Sequence, residues 1–382
     1  MELTQDVDQL IERIYTATEQ LRKAKSSEER RILGNYLYSL YNSLSYIIYM
    51  PIEVTQKNIF GSRKDYQKFV KKAHIDDDRV LKNFFENRIY HRRMFRYIIN
   101  NMHDSLTDIE DAQFGYDEEV SKGEFFEIFS DFLKELHLGK EFDKYIKTVG
   151  IYDYDYELRP DCGGYMIHNP LTNESDVFVA NFSYNVNTLA RLSHEFGHVY
   201  DMSHYQGELH DYNRYRYQSF YLEVMSILFE KLLIQYLIDN NILIDDAKDY
   251  LIEDKFYCYK TFITSYMDSL LDYDVFKKQK EDIYSDEYIS SLIGKHFTGD
   301  IMDFLSEVDT LDIRQNHIYA YGNIISMILK EEVDKYGFSN DMMRELFERR
   351  GEIFSPEFLD KYNVNAGSYV KGYQKELKLL EK

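Results

Sequence analysis

The chain has 382 residues, 44% of them hydrophobic, enough to bury a sizeable core in one large two-lobed unit or in two domains. Its 67 acidic against 46 basic residues give a formal charge of −21, which works against nucleic acid as a partner because phosphate-backbone binding needs clustered Lys and Arg. Two cysteines, Cys162 and Cys258, are too few for a disulfide framework; the acidic start MELTQDVDQLIERIY lacks the apolar core of a secretory leader, and no window reaches the roughly 18 apolar residues of a membrane span, so the expected compartment is the cytoplasm.

Helical periodicity runs through the first part of the chain. Residues 5–24 place Val7, Leu10, Ile11, Ile14 and Leu21 at helical spacing, 28–49 continue similarly to Pro51, and 76–101 read as a helix with acids at its start and bases further on. The stretch KGEFFEIFSDFLKELHLG, 122–139, predicts another helix with Phe126, Phe129, Leu133 and Leu136 on its apolar face and Gly139 as its stop. A change of texture follows. GGYMIH at 163–168, the polar turn NPLTNES and DVFVANF at 176–182 predict a β-hairpin. Helix then returns, at 186 onward, 215–238, 245–271, 315–331 and 366–381. The expected fold is mainly α, a two-lobed helical arrangement with one small β-hairpin or sheet beside the helix that starts near 186. An N-terminal helical lobe is expected over 1–110 and a second, catalytic region over 111–382; the alternative is one continuous domain.

The residues that carry chemistry sit in LSHEFGHVYDMSH, 192–204. On a helix, residues four apart share a face, so His194 and His198 can aim two imidazole nitrogens at one metal ion. Glu195 can then take the proton of a water activated there. Asn185 or Asn187 can cap that helix, and Leu189, Leu192, Phe196 and Val199 form its apolar side. A catalytic zinc takes three protein ligands, and two residues compete for the third place. Glu223 lies 25 residues beyond His198, the one charge in an otherwise apolar run on a helix that reads as buried, where a lone carboxylate is costly without a cation or a paired side chain. His204 lies ten residues after His194, where a longer pattern has its third histidine, but Asp201 occupies the position of the glycine that would turn the chain back. Glu223 is favoured; His204 is expected to be exposed near the helix end.

Taken together these segments resemble the thimet-oligopeptidase and oligoendopeptidase F group of zinc metallopeptidases. HEFGHVY looks like its active-site motif, FYLEVMSILFEKLL like the segment carrying its third ligand, and LRPDCGGYMIHNP with VFVANFSYNVNTLARLSHEFGH like the strands before its zinc helix. NHIYAYGNIIS, 316–326, resembles the region from which the group supplies tyrosine and histidine to the substrate carbonyl. The resemblance covers roughly 120–335 and implies one Zn2+ held by His194, His198 and Glu223, with Glu195 as general base, Tyr321 as oxyanion donor, and His317 and Tyr319 in support. The chain departs from the pattern at Asp201, where many members have another histidine, in its compressed tyrosine segment, and in having 193 residues before the first ligand, which leads to the expectation of a more open cleft. Independently, His317 and Tyr321 are four apart and share a helix face, although in a chain with 36 tyrosines any one of them is as readily a packing residue.

The hairpin has its own logic. An exposed strand edge can pair with an extended peptide, and glycines permit close backbone approach, so Gly163, Gly164, Tyr165, Ala180 and Asn181 are the candidate substrate-binding residues. The expected function is zinc-dependent endoproteolysis of short unstructured peptides in a cleft between the lobes, with no membrane partner and an oligomeric state the sequence does not address. The alternatives are a peptidase using His204 as third ligand and a non-catalytic peptide-binding protein that keeps the fold.

Overall fold

Capping and apolar spacing explain most of the elements in the structure, a computed structural model that describes residues 3–26, 29, 32–33, 36–37, 40, 88–103, 115–116, 118–154, 163–169, 174–204, 222–278, 313–349 and 356–382. Labels below run over the described elements. Helix α1 is Leu3–Lys23 and α2 is Arg88–Met102. The first carries Ile14, Ala17 and Leu21 on its buried face; the second carries Met94, Phe95, Ile98, Ile99 and Met102 on its own. The bases of α2 lie within the helix rather than in its last turn, which has none, and the acids expected to open it, at 76–78, lie outside the described residues, as does most of the helix expected at 28–49. The expected division near 110 also falls outside them.

Helix α3, Lys122–Glu135, starts at Ser121, whose hydroxyl accepts the Glu124 N–H. Its buried face differs from the expected one: Phe125, Ile128, Phe129 and Phe132 are buried, while Phe126, Leu133 and Leu136 are only partly covered. The apolar arc of this helix is wide enough for two choices of face, and the aromatic cluster of Phe125 with Phe182 and Tyr184 decides between them. The stop also differs. The helix ends at Glu135, the left-handed residue after it is His137 at φ 50°, and Gly139 precedes the short helix α4, Lys140–Tyr145.

The expected hairpin is part of a three-stranded sheet, β1 Gly150–Tyr154, β2 Gly164–Asn169 and β3 Glu174–Ala180, in the order β1-β3-β2. Strand β2 pairs antiparallel with β3, with Tyr165 opposite Phe178, and β1 pairs parallel with β3, with Tyr152 opposite Phe178. Phe178 is thereby sandwiched between two tyrosine rings, at 4.7 and 5.0 Å centroid separation. Among the described residues the edge strands are β1 and β2, and β3 has a neighbour on each side.

Helices α5 Val186–Ser203, α6 Val224–Asp239, α7 Ile244–Lys278 and α8 Ile313–Tyr336 form the centre of the described structure; α9 Asp341–Arg349, α10 Pro356–Lys361 and α11 Ala366–Leu377 follow. The largest interface is between α5 and α6, α8 covers α6 and α7, and β2 packs on α5. Helix α6 is buried almost all round, as its sequence implies. Four charges, three of them buried and Asp254 partly so, tie these helices together: Lys231 of α6 lies 3.2 Å from Asp254 of α7, Lys255 lies 3.1 Å from Asp254, and both lysines also meet Glu376 of α11. Burial alone would push these groups toward neutrality, but the opposite charges outweigh it, raising both lysines and lowering both acids from their ordinary values. Beside them the buried Cys258 thiol lies 3.0 Å from the Asn323 amide oxygen, and burial pushes its pKa up. No helix among the described residues is long and apolar enough to cross a membrane. The fold is mainly helical with one small sheet, as the sequence implies.

Candidate metal centre

Asn185 caps α5 by accepting the Thr188 N–H at 3.1 Å, and Leu189, Leu192, Phe196 and Val199 lie on its buried side. That fixes the opposite rotation for His194 and His198, whose rings meet edge to face at 5.2 Å. Gly197 between them lets α6 come close: a Cβ there would fall 2.5 Å from Ser226 Cα and 2.6 Å from the Met225 carbonyl carbon. The close approach brings in Glu223, the residue just before α6, whose carbonyl accepts the Ile227 N–H. Glu223 Oε2 stands 3.2 Å from His194 Nε2 and 3.4 Å from His198 Nε2, and the three ligand atoms lie within 4.8 Å of one another. Ser226, one turn on, donates its hydroxyl to Glu223 Oε2 at 2.8 Å.

A second layer orients the first. His194 Nδ1 lies 3.0 Å from Glu230 Oε2, and Tyr250 donates its phenol to Glu230 Oε1, also at 3.0 Å. The carboxylate assigns a proton to Nδ1, so the neutral ring presents a lone pair at Nε2. Three acceptors then converge at one point, which is tolerable only with a proton or a cation between them. In the metal-free chain burial opposes charge on His194, but its hydrogen bonds to the Glu223 and Glu230 carboxylates outweigh it and hold this imidazole well above its ordinary pKa. Burial likewise raises the Glu223 carboxyl, yet the facing His198 and His194 outweigh it and hold it well below the usual carboxylate range. Two imidazoles and one carboxylate at this spacing form a donor set suited to zinc.

Glu195 is buried at 5% exposure and points to the sheet rather than to α6. A Cβ on Gly164 would lie 3.1 Å from Glu195 Oε1, and one on Gly163 would lie 3.2 Å from Arg191 Nε, so the two glycines let β2 approach the polar face of α5. Of the other expected substrate-binding residues, Tyr165 is half-buried on Phe178. Ala180 is buried in the central strand and its N–H donates to the Gly163 carbonyl at 3.0 Å, so an extended peptide cannot pair with it; the edge that could accept one is β2 or β1. Asn181 is exposed in the left-handed region at φ 43°.

Tyr321 of α8 is 2% exposed; its hydroxyl meets His91 Nδ1 of α2 and its ring packs edge-on against Phe95. Its neighbour Gly322 lies against Glu223, where a Cβ would come within 3.0 Å of the Glu223 Cβ. Tyr319 is half-buried, with its carbonyl accepting the Asn323 amide at 3.1 Å. His317 is on α8, and its side chain lies outside the described residues. His204 is not brought to the other histidines. It follows the last turn of α5, with Nδ1 at 2.8 Å from the Tyr200 carbonyl and its ring stacked on Phe347 at 4.1 Å. Sequence reasoning missed Glu230, although it stands seven residues after Glu223 on the same helix, two turns along the same face.

No protein-family model matches the chain, and a comparison with curated proteins finds no match. Among solved structures it is similar to that of "a putative oligoendopeptidase F" from Bacillus anthracis str. Ames, at 14% sequence identity and a TM-score of 0.50, over 96% of this chain and 69% of that one. The two share a fold. At that identity the likeness speaks for the helical architecture with its small sheet, and residue roles rest on the geometry above.

Proposed function

We propose that this protein is a zinc-dependent endopeptidase of the oligoendopeptidase F type, acting on short unstructured peptides. The observation that carries the reading is the convergence of His194 Nε2, His198 Nε2 and Glu223 Oε2, with Glu195 one residue from the first of them. A zinc ion on these donors would lower the pKa of water and polarise the scissile carbonyl. Glu195 takes the proton of the attacking water and passes it to the leaving amine. Glu230 and Tyr250 hold the His194 ring in place, while Ser226 fixes the Glu223 carboxylate. Tyr321, next to the glycine that touches Glu223, is the oxyanion donor, with His317 and Tyr319 in support; one such donor contributes about 3 kcal/mol. In the structure its hydroxyl is held by His91, so substrate must exchange for that imidazole. Residues 1–110 and 111–382 would form the two sides of the cleft, in a cytoplasmic protein.

Glu195→Gln tests the reading: it should keep its zinc and lose peptide turnover, and turnover by neither protein would leave a non-catalytic peptide-binding role. Glu223→Ala should lose zinc while His204→Ala keeps it; the reverse would make His204 the third ligand.

A further inference from the structure

Arg191 is three residues before His194, four before Glu195 and seven before His198, and so shares their helix face one turn toward the N-terminus of α5. Its guanidinium lies over Gly163, where a Cβ would be 3.2 Å from Nε and 3.3 Å from Cζ, just as Gly164 lies beside the Glu195 carboxylate. It is half-buried, and among the described residues it has no ion pair or hydrogen bond. Glu195 lies one turn on along the same face, but its carboxylate is turned to Gly164 and forms no ion pair with Arg191. In a chain of net charge −21 a partly desolvated guanidinium left without a carboxylate is costly to keep, and the glycine beneath it leaves its fork open to an incoming planar anion.

We infer that Arg191 is a specificity-determining residue that recognises a carboxylate on the peptide. This rests on the peptidase reading and names its substrate class. The spacing sets where the carboxylate sits. Four helical residues span roughly 6 Å along the axis, about the length of two residues of extended peptide. The carboxylate is therefore within about two residues of the bond facing Glu195, as an acidic side chain or as the C-terminus of the peptide. The preference runs against the protein's overall field, which by itself attracts cationic peptides, so it depends on this one side chain.

The test is equilibrium binding to zinc-loaded Glu195→Gln protein, in which peptides bind without being cut. Peptide pairs differing by Glu against Gln at the two positions on either side of the scissile bond separate the side-chain source, and free-acid against amidated pairs separate the terminal one. In one of these series the carboxylate member should bind about ten- to a hundredfold tighter, the range for a charge-assisted hydrogen bond. Adding Arg191→Gln should bring that ratio toward one, Arg191→Lys should keep part of it, and salt should reduce it. Equal binding of every pair, a preference that survives Arg191→Gln, or no binding of any peptide at millimolar concentration would overturn the inference. Failure of the peptidase reading looks different: the carboxylate preference would persist while the protein with Glu195 intact cuts none of the peptides.

Discussion

Gly197 sits where α5 and α6 touch, and replacing it by alanine should separate metal affinity from stability. The added methyl would fall 2.5 Å from Ser226 Cα and 2.6 Å from the Met225 carbonyl carbon, whereas real Cβ atoms keep at least 3.0 Å. Both obstacles are backbone, so no rotamer change relieves them. The helices must part by at least about 0.5 Å, which is more than twice the roughly 0.2 Å tolerance of metal–ligand distances. Ser226 and Glu223 travel with α6, while His194 and His198 stay on α5. Overpacking costs about 1–3 kcal/mol, and the better helix propensity of alanine returns about 1 kcal/mol, leaving a net loss of about 0–2 kcal/mol. Zinc affinity should fall at least about tenfold. The assay pairs denaturant unfolding of the metal-free protein with chelator competition for zinc. Gly123→Ala on α3, where nothing lies within 4 Å of the new Cβ, serves as control and should gain up to about 1 kcal/mol without touching zinc. A Gly197→Ala protein that binds zinc as tightly as its parent would refute the argument that this contact sets the ligand spacing.

Glu230→Gln should weaken zinc binding about 10- to 100-fold with the circular dichroism spectrum intact, because it removes the negative charge facing His194 Nδ1 and leaves one acceptor oxygen for two donors, His194 and Tyr250. Zinc affinity should climb with pH in competition titrations, since the raised pKa of His194 makes the ion displace a proton. For the metal-free protein the sign follows from the same shift: the His194 contribution to stability is complete below its ordinary value of 6.5 and is lost as pH rises through the higher folded value, which denaturation at a series of pH values rising from 6.5 would reveal. Lys255→Met should cost about 3–5 kcal/mol in thermal or denaturant unfolding, because Glu376 loses its closest cation; adding Glu376→Leu should recover much of that and leave the Lys231–Asp254 pair.

The convergence of His194, His198 and Glu223 was readable from the sequence because each part has a local signature. His194 and His198 follow from helical spacing, the Asn185 cap from residue type, and Glu223 from being a single charge in an apolar run. What depends on a distant partner was not readable. Strand β1 was not among the expected strands, because its parallel pairing with β3 depends on contacts more than twenty residues away. The buried face of α3 was misplaced since Phe125 and Phe126, like Phe132 and Leu133, offer adjacent apolar choices that only Phe182 and Tyr184 resolve. The His91 contact of Tyr321 spans 230 residues and leaves no trace in either local pattern. Glu230 is the instructive miss: its spacing from Glu223 was visible, but nothing in the sequence says that Tyr250 would hold its other oxygen.

Cys258 turns the central helix packing into something that can be timed. Its thiol is fully buried between α7 and α8, beside the four-charge cluster, and its raised pKa leaves it without thiolate character at neutral pH. A thiol reagent can reach it only when those helices come apart, so in a Cys162→Ser background the labelling rate is a clock for that opening. Run with and without zinc, the clock would tell whether the metal steadies only the ends of α5 and α6 or the whole helical centre behind them.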